Sequence, residues 1–219
     1  MHGLYYFVSG PLVWMSFILF IGGCLHRLIT MANLAKEKDA VIYVYMDKYY
    51  ALRSIFHWII PFGTTNMRKQ PVMTVVTFAF HICLLCVPLF LFAHVTLWKE
   101  AWNFSWGYIS DGTADMMTLI VIGSCIFFLV RRLIRPEVKY LTSYSDFIIL
   151  GIVAAPFITG FWAYHQWPGY RLMLILHILA GETMLVAIPF TRLSHMIFFP
   201  FTRGYMGSEF GAVKNAKDW

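Results

Sequence analysis

Histidine binds metals and moves protons at neutral pH more readily than any other side chain, and two of the eight histidines here stand out by their spacing. His177 and His195 lie 18 residues apart in mostly apolar sequence. At about 100° per residue that is five whole turns, so both imidazoles would face one way, about 27 Å apart along a helix. A bilayer core is about as thick. The pair has the form of a helix offering one imidazole at each side of a membrane, which is what two haems would require.

A second pair, His81 and His94, lies in another apolar run. Histidine is costly within lipid, so each intramembrane histidine is a functional candidate. One alone is often hydrogen-bonded packing; two pairs at two depths are harder to read that way.

The elements that must position these residues follow from composition. Of the 219 residues 59% are hydrophobic and 13% are charged, and the mean hydropathy is +0.66. Such a chain is no ordinary soluble domain, and at about 20 residues per span it has room for about five crossings and no large soluble domain. The nearly charge-free runs predict an all-α membrane protein of five transmembrane helices, at Leu4 to Leu25, Val72 to Trp98, Thr113 to Val130, Phe147 to Tyr164 and Leu172 to Phe190. The N-terminus lacks a basic signal-peptide region and reads as a retained first helix. Residues 1–200 are expected to form one membrane domain, with an interfacial segment at about residues 30–71 and a short cytoplasmic tail over 201–219. The aromatic segment Val41 to Phe62 suits either a helix at the membrane interface or a docking surface for a partner.

Basic loops stay in the cytoplasm. With the N-terminus periplasmic, only Lys99 and Arg171 of the 17 lysines and arginines fall outside. The net charge of +6 is then accounted for by membrane retention and lipid headgroups, and nucleic acid is not called for. In this topology the second span runs outward and the fifth inward. His94 is level with His177 on the outer side, and His81 with His195 on the inner.

One piece of geometry resists. The 13 residues from His81 to His94 turn an ideal helix about 220° beyond whole turns. Pro88 lies between them, so the second helix is predicted to be distorted around Val87 to Leu89. Pro189 bears on the five-turn arithmetic of the fifth span in the same way.

Other groups carry weaker signals. Glu182 is the one carboxylate deep in a span and needs a partner or a polar cavity; with Asp115 and Trp98 it is a candidate for a quinone or proton site. Arg131, Arg132 and Arg192 could bind haem propionates or serve as positive-inside anchors. Cys83 and Cys86 form a C-x-x-C, but on an apolar helix two small side chains on adjacent turns is the plainer reading. His2, His26, His57 and His165 lie at the terminus, at interfaces or in connections. No nucleotide-binding glycine loop, nucleophile constellation or iron-sulfur cysteine set is present.

The stretch Leu176-His177-Ile178-Leu179-Ala180-Gly181, followed by Pro189-Phe190-Thr191-Arg192-Leu193-Ser194-His195, resembles the fifth helix of the respiratory nitrate reductase gamma subunit family, the dihaem cytochrome b anchors. Arg131-Arg132-Leu133, Pro136 and Ser145-Asp146 to Leu150 resemble that family's link into its fourth helix, and Phe80-His81 the start of its second. The run from His81 to His94 is closer to the short cytochrome b subunit of the sulfate-reducer high-molecular-weight cytochrome c transmembrane redox complex. The resemblance implies that His81 and His195 ligate an inner haem b, and His94 and His177 an outer one. It also implies partners: a multihaem cytochrome c and iron-sulfur proteins in a complex of the bacterial inner membrane, with menaquinone as a candidate ligand. The lysine that the nitrate reductase subunits carry near the outer haem is absent, since no lysine occurs between Lys99 and Lys139. The expected function is electron transfer across the membrane, and the chain has no groups for bond-making chemistry of its own. The alternative is a haem-free anchor or a proton-relaying, transporter-like subunit.

Overall fold

In lipid every backbone N–H and C=O must be satisfied within the segment, so charge-free runs of this length fold as helices. The computed structural model describes residues 2–216, without the side chains of His2, Ile42 and Tyr43, and the last residues of the expected tail lie outside this range. Five helices are long and apolar enough to cross a membrane: α1 (Gly3–Lys38), α3 (Pro71–Phe90), α5 (Asp111–Ile134), α6 (Tyr144–Tyr164) and α7 (Tyr170–Phe190). Among the described residues, three further helices of 11 to 13 residues are shorter than a span: α2 (Lys48–Ile59), α4 (Phe92–Trp102) and α8 (His195–Gly207). Among the described residues there is no strand, only an isolated bridge between Leu91 and Ile109. The chain is an all-helical, multi-pass membrane protein.

Its surface is that of a lipid-solvated protein. Ile18, Leu97, Met116 and Ile148 are each more than 60% exposed, while the small polar residues Ser16, Thr118 and Ser124 are buried, where they allow close helix approach. Polar residues also fix the helix starts. The Ser110 side chain accepts from the Thr113 amide to open α5, and Asp47 accepts from Tyr50 to open α2. Ser143 and Asp146 form a reciprocal capping box at the start of α6, satisfying amides that no helical carbonyl reaches.

The chain divides into two compact units, Met1–Thr74 with Glu182–Trp219, and Val75–Gly181. The boundary drawn between residues 200 and 201 falls inside α8, so the start of the expected tail is part of the first unit.

Two spans and the placement of one histidine depart from the expected elements. α1 stays helical to Lys38, because Leu28 to Ala35 contains no helix breaker. The second span is cut at Leu91, three residues beyond Pro88. The fifth ends at Phe190, and His195 opens a separate helix. The single-helix arithmetic for His177 and His195 therefore does not apply.

Candidate metal centre

At Leu91 the backbone turns extended, with φ −66° and ψ 129°, and the helical ladder stops. The break releases three consecutive carbonyls, and each finds one donor. The Pro88 carbonyl accepts from His94 Nδ1 at 2.9 Å, the Leu89 carbonyl from Trp106 Nε1 at 2.7 Å, and the Phe90 carbonyl from the Ile109 amide at 2.9 Å. An unpaired carbonyl in lipid costs several kcal/mol. Trp106 and Ile109 thus hold the break open, and His94 is oriented by the same event. The distortion lies at Leu91 rather than over Val87 to Leu89, because these donors capture the turn after the proline.

His177 is fixed in a similar way from α6. Its Nδ1 donates to the Pro156 carbonyl at 2.8 Å, and its ring lies against Gly160, where a β-carbon would stand 2.8 Å from both Cε1 and Nδ1. Since each acceptor is a carbonyl, Nδ1 carries the proton in both histidines and the lone pair is on Nε2. The two ring centroids are 6.0 Å apart and their planes 14° from parallel. A metal–imidazole bond is about 2.0–2.1 Å, so two imidazoles ligating one ion from opposite sides put their ring centres about 6 Å apart. The separation of the two ring centres matches that distance.

Among the described residues no three of His, Cys, Asp and Glu come together. A structural zinc needs four protein ligands. Two imidazoles alone suit a metal that brings its other ligands with it, as haem iron does.

His81 and His195 share the Nδ1 arrangement, to the Thr77 carbonyl at 2.7 Å and the Arg192 carbonyl at 2.9 Å. His81 also packs edge-on to Phe80, which packs in turn on Phe128. His57 and His165 differ: His57 Nδ1 is buried without a partner, and His165 Nε2 pairs with Asp115 at 3.1 Å.

The joint that carries His195 is built by α1. Pro189 is fully buried and abuts Gly23, where a β-carbon would come within 2.7 Å of its Cγ. Arg27 Nε donates to the Pro189 carbonyl at 3.0 Å, and its guanidinium lies 5.8 Å from the Phe198 ring centre. The Thr191 hydroxyl closes the end of α7 on the Ala187 carbonyl. A short 3-10 turn, Arg192–Ser194, then leads into α8.

α8 is in turn clamped by α2 and its flanks. Gly204 packs against Ala51 and Ile55, and the Arg203 guanidinium sits 3.6 Å from the Trp58 ring centre. The Asp47 amide donates to Ser208, and the Tyr205 hydroxyl donates to Asp39 at 3.0 Å.

The remaining candidates disperse. Arg132 is committed to Asp146, 3.6 Å away. Arg131 is in the last turn of α5, and Arg192 is exposed in the turn before His195. Trp98 packs on Trp102 and Trp106. Asp115 pairs with His165, which stands among Phe161 and Trp167. Glu182 is buried, with both carboxylate oxygens lacking a hydrogen-bond partner. Gly160, Pro156, Trp106 and Arg27 were not singled out from sequence as positioning residues. The available signal was Pro156 and Gly160 four residues apart inside an apolar span.

No family model matches the chain. A protein of Nitratidesulfovibrio vulgaris Hildenborough is 38% identical over 215 residues, covering 96% of this chain and 95% of that one. Its name, simply "Protein", states no activity.

Proposed function

The chain belongs to the same family as that Nitratidesulfovibrio vulgaris protein, and from its histidine geometry we propose that it is a dihaem cytochrome b, an electron-transfer subunit of a membrane redox complex. The observation that carries the reading is the His94–His177 pair, with centroids 6.0 Å apart and each Nδ1 committed to a carbonyl. A haem bound there supplies one-electron ferric/ferrous chemistry. The protein's part is to present two Nε2 lone pairs. The carbonyls of Pro88 and Pro156 lock the tautomers and ring orientations and raise ligand basicity, and Gly160 keeps the space that the His177 ring needs.

His81 and His195 are the proposed ligands of the second haem b, on the resemblance to the nitrate reductase gamma subunits and on their matching Nδ1 bonds. Arg131, Arg132 and Arg192 are the proposed candidates for propionates, and Arg132 also pairs with Asp146. The proposed orientation has the N-terminus periplasmic and the C-terminus in the cytoplasm of a bacterium, from the distribution of basic residues. The proposed route for electrons runs between a periplasmic multihaem cytochrome c, or a quinone such as menaquinone, and cytoplasmic iron-sulfur partners.

A pyridine haemochrome assay on the purified full-length protein tests this. About two haems b per chain are expected, falling to about one in His94→Ala and in His177→Ala. A haem-free wild type, or content unchanged by both substitutions, would favour the haem-free anchor instead.

A further inference from the structure

A guanidinium carries its N–H donors in one plane and has no acceptor, so a partly buried arginine ordinarily turns them to carboxylates or carbonyls. Arg203 in α8 does not. Its guanidinium lies 3.6 Å from the Trp58 ring centre, a contact that covers one face and leaves the donors along the edge open. Among the described residues it makes no hydrogen bond and no ion pair. The carboxylates that flank α2 and α8 are taken: Asp39 accepts from Tyr205, Asp47 from the Tyr50 amide, and Glu209 pairs with Lys214. Burial, offset by no partner, pushes the Arg203 guanidinium below its ordinary pKa.

The facing stretch of α2 holds three more polar atoms in want of partners. Ser54 Oγ, His57 Nδ1 and Trp58 Nε1 are each buried without a hydrogen bond, and Ser54 is fully buried as a residue. Steps of three and four residues put them on one side of the helix. That side lies along α8, since Ala51 and Ile55 of the same stretch meet Gly204. The hydroxyl that α8 carries here, on Thr202, is turned back to the Phe198 carbonyl. Folded proteins leave few such atoms unmet, and a bound ion is one of the ways in which they are satisfied.

We infer that α2 and α8 form a binding site for a phosphate-class oxyanion, with the Arg203 fork as its principal donor and Trp58, His57 and Ser54 as the others. The donor set selects the class. A carboxylate has two oxygens, which the arginine fork alone fills. A phosphate group brings further acceptor oxygens for the indole N–H, the imidazole and the hydroxyl. Trp58 serves twice, holding the plane of the guanidinium and offering its own N–H. A lipid phosphodiester headgroup and free inorganic phosphate present this same chemistry. The inference does not rest on the haem reading.

The test follows the melting temperature of the full-length protein in maltoside detergent stripped of phospholipid. One arm adds inorganic phosphate, with chloride at equal ionic strength as its control. The other adds short-chain phosphatidylglycerol, with the matching diacylglycerol, which lacks the phosphate, as its control. A rise beyond the control is expected in at least one arm; phosphate acting alone identifies a free anion, and phosphatidylglycerol alone a lipid headgroup. Arg203→Lys keeps the charge but not the fork, and should weaken the apparent affinity at least about tenfold. Trp58→Phe keeps the ring but not the N–H, and should weaken it in the same direction. Ser54→Ala separates a site from a packing defect: it should raise the melting temperature without ligand, because an unmet buried hydroxyl is gone, and reduce the rise that the anion causes. No rise beyond the controls in either arm, or a rise undiminished in all three variants, would overturn the proposal.

Discussion

Gly160 and His177 are in van der Waals register such that a single added methyl would overlap the imidazole, 2.8 Å from Cε1 and from Nδ1. Gly160→Ala should therefore displace the ring from the Pro156 carbonyl and destabilise the unit by about 1–3 kcal/mol. The readout is the haem-to-protein ratio together with the low-spin electron paramagnetic resonance signal. Gly123→Ala, at a glycine with nothing within 4 Å, is the matched control and should leave both unchanged.

Trp106→Phe keeps an aromatic ring beside Trp98 but removes the indole donor to the Leu89 carbonyl. A loss of about 1 kcal/mol is expected, read as a lower melting temperature. Unchanged melting would mean that water or another donor serves the carbonyl.

Arg27→Gln should act on the other joint. It removes a charged donor from the Pro189 carbonyl, a loss of about 1.5–3 kcal/mol, and loosens the turn that leads to His195. Spectra attributed to the His81/His195 haem should shift while those of the His94/His177 haem stay put. Equal shifts in both would count against separate support for the two sites.

The Tyr205–Asp39 contact has a pH signature. The hydrogen bond to the Asp39 carboxylate pushes the tyrosine pKa up. A phenol whose folded pKa exceeds its unfolded value stabilises the fold below the unfolded pKa, and the contribution is lost as pH rises through the folded one. Wild type should melt above Tyr205→Phe at neutral pH, and the gap should close at alkaline pH, above the ordinary tyrosine value of about 10.

The five spans were legible because absence of charge over about 20 residues leaves the chain little choice in lipid. The second helix was legible as a problem: the His81–His94 phase conflict required a break, and Pro88 indicated roughly where. Its position at Leu91 was not readable, because it depends on Trp106 and Ile109 arriving from the following loop. The end of the fifth span at Phe190 was legible from the polar residues Thr191, Arg192, Ser194 and His195 that follow it; that His195 opens a separate helix was not, because the joint depends on Arg27 reaching the Pro189 carbonyl from α1. The role of Gly160 was hidden for a related reason. An apolar span does not state which neighbour presses on which turn.

The long connection shows the same limit. Its aromatic content fitted a helix lying flat on lipid as well as it fitted a docking face.

Both acceptors that orient His94 and His177, the carbonyls of Pro88 and Pro156, belong to the main chain. No amino-acid exchange can delete a carbonyl, so a screen of point substitutions would largely pass over this layer of the site. A one-residue insertion or deletion between Pro88 and His94 would instead move the acceptor out of reach while changing neither imidazole. The two acceptors are therefore insensitive to side-chain exchange at their own positions, while the site is intolerant of any change in chain length across that turn.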